Sequence, residues 1–328
     1  GVADQPTVTV SDAIGAEDSA IPLDITAALT DVDGSETITD VTISGVPTGA
    51  NLSAGTDNGN GTWTLTPADL AWLTVTPPAD SDADFTLSVS ATSTEADGGG
   101  ATTLSSLDVT VIGVADHPTV TINDAVGAED SAIPLDIGVA LNDIDGSETI
   151  TDITISGVPT GAALSTGTDN GDGTWTLTPA DLAGLTVTPP YDSDVDFTLS
   201  VSATSTEREG DSATTISSLD VTVIGVADHP TVTINDAAGA EDSAIPLDIG
   251  VALNDIDGSE TITDITISGV PTGAALSTGT DNGDGTWTLT PADLAGLTVT
   301  PPYDSDVDFT LSVSATSTER EGDSATTS

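Results

Sequence analysis

Acidic side chains in short alternating runs are the residues of this sequence best suited to chemistry. Asp80, Asp82 and Asp84 lie two residues apart, and Asp31 and Asp33 repeat that spacing. Alternating carboxylates offer several hard oxygen ligands at once. Such a set suits calcium better than magnesium, whose octahedron is tighter and keeps its waters. The pattern therefore predicts calcium binding.

The overall charge limits the possible partners. The chain has 54 Asp and Glu against 2 Lys and Arg, and a formal net charge of -52. Nucleic acids and anionic membrane surfaces need cationic side chains, so neither is an expected partner, and no apolar run is long enough to insert into a membrane. Without cysteine the chain can form neither disulfides nor thiolate metal sites. Because so many like charges repel one another, we expect a fold that depends on bound cations.

The elements that must position these acids are β-strands. Apolar residues make up 37% of the chain, in short alternating runs rich in Val, Ile, Leu and Thr. In the first copy of the repeat described below, turn residues and one helical turn at 67–70 separate eight such runs. The predicted strands are 7–10, 20–29, 37–44, 51–54, 62–66, 73–76, 85–94 and 104–112. This pattern is typical of an immunoglobulin-like sandwich with seven through-going strands.

An internal repeat sets the domain organisation. The segment that begins at Gly1 returns at Gly113 and Gly225, and copies 2 and 3 differ only at positions 126/238 and 216/328. A period of this length is the size of a domain. We therefore predict an all-β chain of three tandem sandwiches arranged end to end, at 1–112, 113–224 and 225–328. Copy 3 stops at the counterpart of Ile216, so it is expected to lack its final strand and to be the least stable copy. The opening without Met suggests a fragment of a longer protein.

The linkers are expected to gather the acids at the junctions between copies. Residues 113–118 are so short a connection that the last strand must leave its sandwich at the end opposite to the first. Acidic loops of one copy then face those of the next, and on the order of two or three calcium ions would offset their charge. The predicted ligands at the first junction are Glu17, Asp18, Asp80, Asp82, Asp84, Asp116, Asp143, Asp145 and Glu148. Those at the second are Glu129, Asp130, Asp192, Asp194, Asp196, Asp228, Asp255, Asp257 and Glu260, and at the start of copy 1 they are Asp4, Asp31, Asp33 and Glu36. The alternative is that these acids only form solvated turns.

Other polar positions leave alternatives open. Asp57 and its counterparts Asp169 and Asp281 either hold an ion or stabilise a hairpin turn. Asp12 and Asp40 are either ligands within one copy or strand caps. In the loop at 95–101, any ion is expected to differ between copies, because copy 1 differs there in sequence.

The aromatic and histidine residues point away from catalysis. Trp63 and its counterparts recur in one strand and are expected in the core, whereas Trp72 aligns with Gly184 and is expected on the surface. His117 and His229 both lie in linkers, which leaves no His-based triad, and a filled sandwich lacks a cleft for paired catalytic acids. We therefore expect no enzyme.

The motifs also resemble two known families. The segment LTDVDGSETITDVTISG is similar to the corresponding stretch of cadherins. The whole repeat, with GAEDSAIPLDI, DVDGSETI and DFTLSVSATSTE, resembles the Ig-like repeats of giant bacterial RTX adhesins exported by type I secretion, although the Gly-Gly-x-Gly-x-Asp nonapeptides of such proteins are missing.

This resemblance implies cadherin-like sandwiches that form a calcium-rigidified extender stalk, a monomeric rod on the bacterial cell surface. Such a stalk holds a distal adhesive region away from the cell for attachment or biofilm formation. The alternatives are an adhesive module that binds carbohydrate or a like module, and a spacer in a secreted hydrolase.

Overall fold

The computed structural model describes residues 1–31, 33–143, 145–255 and 257–328, whose regular elements are strands and three single-turn 3-10 helices. Contacts divide the chain into two compact units. One consists of Gly1–Val120, Gly138–Ile153 and Ser202–Ile216, and the other of Thr121–Ile137, Thr154–Val201 and Ser217–Ser328. Copy 1 lies in the first unit and copy 3 in the second, while copy 2 is divided between them. The domain boundaries after residues 112 and 224 stay a prediction. No helix among the described residues has the length and apolar character needed to span a membrane.

The described residues of copy 1 form eleven strands and one 3-10 helix, at Pro67–Leu70. Seven of the eight predicted strands fall on observed ones, with shifts of at most four residues at their ends. The strands are β1 (Thr7–Val10), β2 (Ala13–Ala16), β3 (Ile21–Pro22), β4 (Ile25–Ala28), β5 (Glu36–Ser44), β6 (Asn51–Leu52), β7 (Thr56–Asp57), β8 (Thr62–Leu65), β9 (Thr74–Thr76), β10 (Phe85–Glu95) and β11 (Gly100–Ile112).

These strands form a sandwich. The main sheet has the order β2-β11-β10-β5-β8-β7, and two smaller sheets, β1-β4 and β3-β9-β6, complete the copy. Ile43 in β5 and Val89 in β10 are fully buried, as are Ile21 in β3 and Val75 in β9. The core therefore lies between the main sheet and the smaller ones, which confirms the all-β class predicted from the alternating pattern.

The predicted single strand at 20–29 is wrong, because the chain changes sheets within it. β3 pairs with β9, whereas β4 pairs with β1. Between them, the backbone N–H of Leu23 donates to the carbonyl of Leu73 at 2.8 Å.

Strand β2 was missed by the sequence reasoning. Its residues Ala13 to Ala16 include a glycine and lack the β-branched run expected of a strand. It forms because it pairs in parallel with the end of β11, in the register Val109↔Ala13 to Ile112↔Ala16. This pairing places the residue after β2 beside the linker to copy 2.

Copies 2 and 3 repeat most of these elements. Copy 2 has β12 (Thr119–Ile122), β13 (Ala125–Ala128), β14 (Ile133–Pro134), β15 (Ile137–Ala140), β16 (Thr149–Ser156), β17 (Ala163–Leu164), β18 (Thr168–Asp169), β19 (Thr174–Leu177), β20 (Thr186–Thr188), β21 (Phe197–Thr206) and β22 (Ser212–Ile224), with a 3-10 helix at Pro179–Leu182. Copy 3 has β23 (Thr231–Asn235), β24 (Ile245–Pro246), β25 (Asp248–Ala252), β26 (Thr261–Ser268), β27 (Ala275–Leu276), β28 (Thr280–Asp281), β29 (Thr286–Leu289), β30 (Thr298–Thr300), β31 (Ser312–Thr318) and β32 (Ser324–Thr327), with a 3-10 helix at Pro291–Leu294.

Copy 3 differs where its final strand would pair. β13 pairs in parallel with residues 221–224, but the counterparts 237–240 in copy 3 are not a strand. A cleft of about 780 Å³ opens there, and Leu311 at its wall is partly exposed although its counterpart Leu199 is fully buried. The difference arises because copy-3 counterparts of residues 217–224 are not among these 328 residues.

Candidate metal centres at the junctions between copies

Glu17 is fixed at the first junction by the parallel pairing of β2. Its backbone N–H donates to the carbonyl of Ile112 at 3.0 Å, and its Oε1 accepts the N–H of Val114 at 2.7 Å. Its side chain is only 2% exposed. The end of copy 1 thus places a buried carboxylate directly against the linker.

Two carboxylates of copy 2 meet Glu17. Asp143 follows β15, Glu207 follows β21, and both are buried. One carboxylate oxygen from each of the three residues lies within 4.8 Å of the others. The Oε2 atoms of Glu17 and Glu207 have no hydrogen-bond partner among the described residues. Buried anionic oxygens without a partner are costly, so this group calls for a cation.

The pKa values express the same cost. Burial raises the pKa of Glu17 from 4.5 to about 7, against the lowering effect of the Val114 N–H, and the charges of Asp143 and Glu207 raise it further. Burial also raises the pKa of Glu207, although a hydrogen bond from Ser147 opposes the shift. Both carboxyl groups are thus destabilised as anions by their surroundings, and a divalent cation would reverse that effect.

A second group lies around the linker itself. Asp18, Asp80 and Asp116 each place one carboxylate oxygen within 4.8 Å of the other two. The backbone N–H of Asp80 donates to Asp18 Oδ1 at 3.1 Å. The linker is held in turn by copy 2, because the N–H of Asp116 donates to Glu148 Oε1 at 2.8 Å. Copy 1, the linker and copy 2 therefore all contribute to the first junction.

A third group joins Asp82 of copy 1 to Glu207 and Glu209 of copy 2. Glu207 belongs to this group and to the one around Glu17, so the two groups share a ligand. Such sharing of one carboxylate brings neighbouring cation positions close together.

The second junction repeats the first in part. Glu129, Asp255 and Glu319 form the counterpart of the Glu17 group, and the Oε2 atoms of Glu129 and Glu319 again lack a partner among the described residues. Burial raises the pKa of Glu129 to about 7. Asp194, Glu319 and Glu321 form the counterpart of the group of Asp82, Glu207 and Glu209.

Asp192 distinguishes the two junctions. It is 7% exposed, and its backbone N–H donates to Asp130 Oδ1 at 3.0 Å. Burial raises the pKa of Asp192 to about 6, and the charges of Asp130 and Asp228 add to the shift. Tyr191 precedes it, where copy 1 has Ala79.

The structure brings together nine of the predicted ligands, namely Glu17, Asp18, Asp80, Asp82, Asp116, Asp143, Glu129, Asp194 and Asp255. For all twenty-two predicted residues the ligand role stays a prediction, and the other thirteen lie outside these groups of three within the described part of the chain. They are Asp84, Asp145, Glu148, Asp130, Asp192, Asp196, Asp228, Asp257, Glu260, Asp4, Asp31, Asp33 and Glu36.

Several of these thirteen residues organise backbone at the same sites. Asp84 Oδ1 accepts the N–H of Val111 at 2.8 Å, and Asp196 does the same for Val223. The backbone N–H of Asp4 donates to Glu36 Oε1 at 2.5 Å, as the N–H of Asp116 does to Glu148. In the other acidic loops, an aspartate carboxylate accepts a hydrogen bond from the backbone N–H two residues later. The N–H of Asp33 donates to Asp31, that of Asp145 to Asp143, and that of Asp257 to Asp255.

Sequence reasoning missed Glu207, Glu209, Glu319 and Glu321 as ligands. All four belong to the loop after β21 or β31, which the sequence offered only as a variable ion site. One signal was available, because Glu95, Glu207 and Glu319 occupy the same position in all three copies. Each continues the inward-facing alternation of its strand and is buried.

The hairpin acids are accounted for by local structure. Asp57 Oδ1 accepts the N–H of Gly59 at 2.8 Å, and Asp169 and Asp281 repeat the contact. Asp12 Oδ1 accepts the N–H of Asp108 at 3.0 Å, which fits the alternative of a strand-end cap. Trp63 is buried in the core and Trp72 is 96% exposed, as predicted.

The donors at both junctions fit calcium. All the ligands in these groups are carboxylates, without imidazole or thiolate, and calcium takes six to eight such oxygens in flexible geometry. The unpartnered Oε2 atoms of Glu17 and Glu207 are available for such an ion. At the first junction they would hold it together with Asp143, and its charge would offset the repulsion that raises the carboxyl pKa values.

Comparison with known proteins gives remote structural similarities. No protein-family model and no curated protein matches the chain. Domains EC1-4 of PcdhgB3 align with a TM-score of 0.39 at 12% identity, covering 99% of this chain and 72% of that one. Mouse cadherin-23 EC22-24 aligns with a TM-score of 0.37 at 13% identity, covering 99% and 92%. The chicken CNTN1 FN1-FN3 domains give 0.27 at 9% identity, covering 93% of each chain.

Proposed function

We propose that this chain is a calcium-rigidified extender segment of a large secreted bacterial surface adhesin of the RTX type. It would position a distal adhesive region away from the cell for attachment or biofilm formation, and it would carry out no catalysis itself. The observation that carries the proposal is the group of Glu17, Asp143 and Glu207, in which consecutive copies jointly bury carboxylate oxygens, two of which have no hydrogen-bond partner among the described residues.

An ion at this position would act as a brace. It would bind Glu17 from copy 1 and Asp143 and Glu207 from copy 2, so its binding energy would oppose any movement of one copy against the other. At about 100 times the dissociation constant, each such site would add about 2.7 kcal/mol to the stability of the bound form. Without the ion, the same carboxylates repel one another.

Calorimetry tests the calcium dependence. We expect the calcium-loaded protein to melt at a clearly higher temperature than the protein in chelator. Glu17→Gln keeps the size of the side chain but removes its charge, and should weaken calcium binding at the first junction by about tenfold. Asp57→Asn is the matched control, because this exposed acid serves a hairpin turn. Identical melting curves with and without calcium would refute the proposal.

Terbium luminescence tests the location of the ions. Tyr191 lies beside Asp192 at the second junction, so light absorbed by its ring should sensitise terbium bound there in place of calcium. Tyr191→Phe should remove that signal, and Ala79→Tyr should create one at the first junction. Terbium emission that neither substitution changes would mean that the ions bind elsewhere.

Spin-label distances test the bracing. The chain has no cysteine, so single cysteines at exposed Thr56 and Thr168 would carry the only labels, one on each side of the first junction. We expect a narrow distance distribution in calcium and a broad one in chelator. A distribution of unchanged width would mean that calcium does not restrain the copies.

A second candidate function rests on Trp72. An indole that is 96% exposed is a possible stacking surface for a sugar ring, which favours an adhesive module that binds carbohydrate. Trp72→Gly, the residue found in the other copies, should abolish glycan binding on an array if this reading holds. An array without binding by the unaltered chain would argue against the carbohydrate-binding module.

A further inference from the structure

The two basic side chains of this sequence occupy equivalent positions. They are Arg208 in copy 2 and Arg320 in copy 3, and copy 1 has Ala96 at the matching place. Each follows the buried glutamate that ends the inward alternation of its strand, Glu207 or Glu319. A chain with 54 acidic residues has thus placed both of its guanidinium groups at the junctions.

Both arginines reach back to the preceding copy. Arg208 Nη1 lies 3.1 Å from Asp82 Oδ2, and Arg320 Nη1 lies 3.2 Å from Asp194 Oδ2. The aspartate side chains are 14% and 9% exposed, whereas the arginines are 64% and 66% exposed. The guanidinium group therefore approaches from solvent and neutralises a carboxylate that is largely withdrawn from it.

The contacted aspartates are also members of cation-binding groups. Asp82 belongs with Glu207 and Glu209, the residues on either side of Arg208, and Asp194 belongs with Glu319 and Glu321. Glu207 and Glu319 are each 3% exposed, and the Oε2 of each has no hydrogen-bond partner within the residues that the structure describes. Burial raises the pKa of Asp82, the charge of Asp145 adds to the shift, and Arg208 opposes it. The arginine thus acts on this group in the same direction as a metal ion.

We propose that Arg208 and Arg320 are built-in cations, each of which takes the place of one calcium ion at its junction and ties consecutive copies together without metal. The calcium part of this inference rests on the proposed function, whereas the tie between copies does not. A guanidinium group carries one charge and cannot dissociate from the chain, so it would keep a contact across the linker after all calcium is removed. Copies with alanine at this position would instead leave the group open to a further ion.

The test measures calcium stoichiometry and inter-copy distance in the same variants. Arg208→Ala should bind about one more calcium ion per molecule than the unaltered chain, at the first junction. In chelator, the same substitution should broaden the distance distribution between labels at Thr56 and Thr168. Arg208→Lys keeps the charge and should bind no additional ion. Ala96→Arg adds the same charge at the counterpart in copy 1 and should leave the distribution across the first junction unchanged.

Each result decides one part of the inference. Unchanged stoichiometry in Arg208→Ala would overturn the replacement of an ion, and an unchanged distribution in chelator would overturn the metal-independent tie. If the unaltered chain bound no calcium, the proposed function would fail, but the measurement in chelator would still decide whether Arg208 ties the copies. Arg320→Ala, with labels at Thr168 and Thr280, repeats the experiment at the second junction.

Discussion

Glu17 and Glu129 show how one buried carboxylate can make a whole junction depend on its surroundings. Each uses Oε1 to accept the linker N–H, whereas its Oε2 has no hydrogen-bond partner in the described part of the chain. The hydrogen bond to Oε1 fixes the path of the linker, whereas the buried charge on Oε2 has an electrostatic cost. That cost falls when the group binds either a metal ion or a proton.

We therefore predict that the calcium-depleted protein is more stable at pH 5 than at pH 7.5. In the folded state the pKa of Glu17 and Glu129 is about 7, above the ordinary value of 4.5, so the folded chain binds more protons between these pH values. Their contribution to stability is complete below about pH 4.5 and is lost as pH rises through 7. Thermal melting of resin-depleted protein checks this, and the double variant Glu17→Gln/Glu129→Gln should flatten the dependence. Stability that rises over this range would contradict the prediction.

Trp72 predicts a stabilising substitution. It has a φ of 65°, a left-handed conformation that its counterparts Gly184 and Gly296 adopt without strain. Because the indole is almost fully exposed, its removal loses little packing. We expect Trp72→Gly to stabilise copy 1 by about 0.5–1 kcal/mol, the left-handed strain less the entropy cost of glycine. Denaturant unfolding measures the change, and Gly184→Trp should shift copy 2 in the opposite direction.

At the scale of elements, the sequence revealed the alternating strands but not the places where the chain changes sheets. Ile43 and Val89 follow a period of two, which any half-buried strand must show, and both are in the core. β2 has no such pattern, and its glycine is required by contact with β3, because a Cβ at Gly15 would lie 2.7 Å from Ile21 Cγ1. The acids after β2 could be placed at the correct end from loop order alone. Glu207 was missed because its ligand role depends on tertiary contact with the preceding copy.

Copy 3 predicts a difference in local stability. Strand β31 begins at Ser312, whereas β21 begins at Phe197, the counterpart of Phe309. Residues 309–311 lie outside the described strands, and Leu311 is partly exposed. In hydrogen exchange, residues 310–318 should lose protection before 198–206. Equal protection in a monomer would show that the cleft wall is stable without the final strand.

At the scale of the whole molecule, net charge is the dominant property. A formal charge of -52 on 328 residues opposes any compact state, and added salt screens that repulsion over about 8 Å at 0.15 M and 3 Å at 1 M. The apolar side chains that the alternating strands bury offset this repulsion. Because the acids are concentrated at the junctions, the sheets themselves are mostly free of charge.

We therefore predict that potassium chloride raises the melting temperature of the calcium-free chain. Screening replaces part of the effect of specific ions, so the same salt should raise the melting temperature less when calcium is present. Melting curves from 0.05 to 1 M salt, with and without chelator, measure both slopes. Equal slopes would mean that calcium does not relieve the repulsion between the carboxylates.

The parallel pairing of β2 with the end of β11 has a mechanical consequence. Tension applied to the two ends of a copy would pull these strands in opposite directions along their own axes. The hydrogen bonds between Ala13–Ala16 and Val109–Ile112 would then share the load and break together, as in a shear joint. Copy 2 has the same joint, and copy 3 lacks it in this chain. Single-molecule pulling should therefore record two unfolding events at high force and one at low force, and three equal forces would show that another strand pair resists the load.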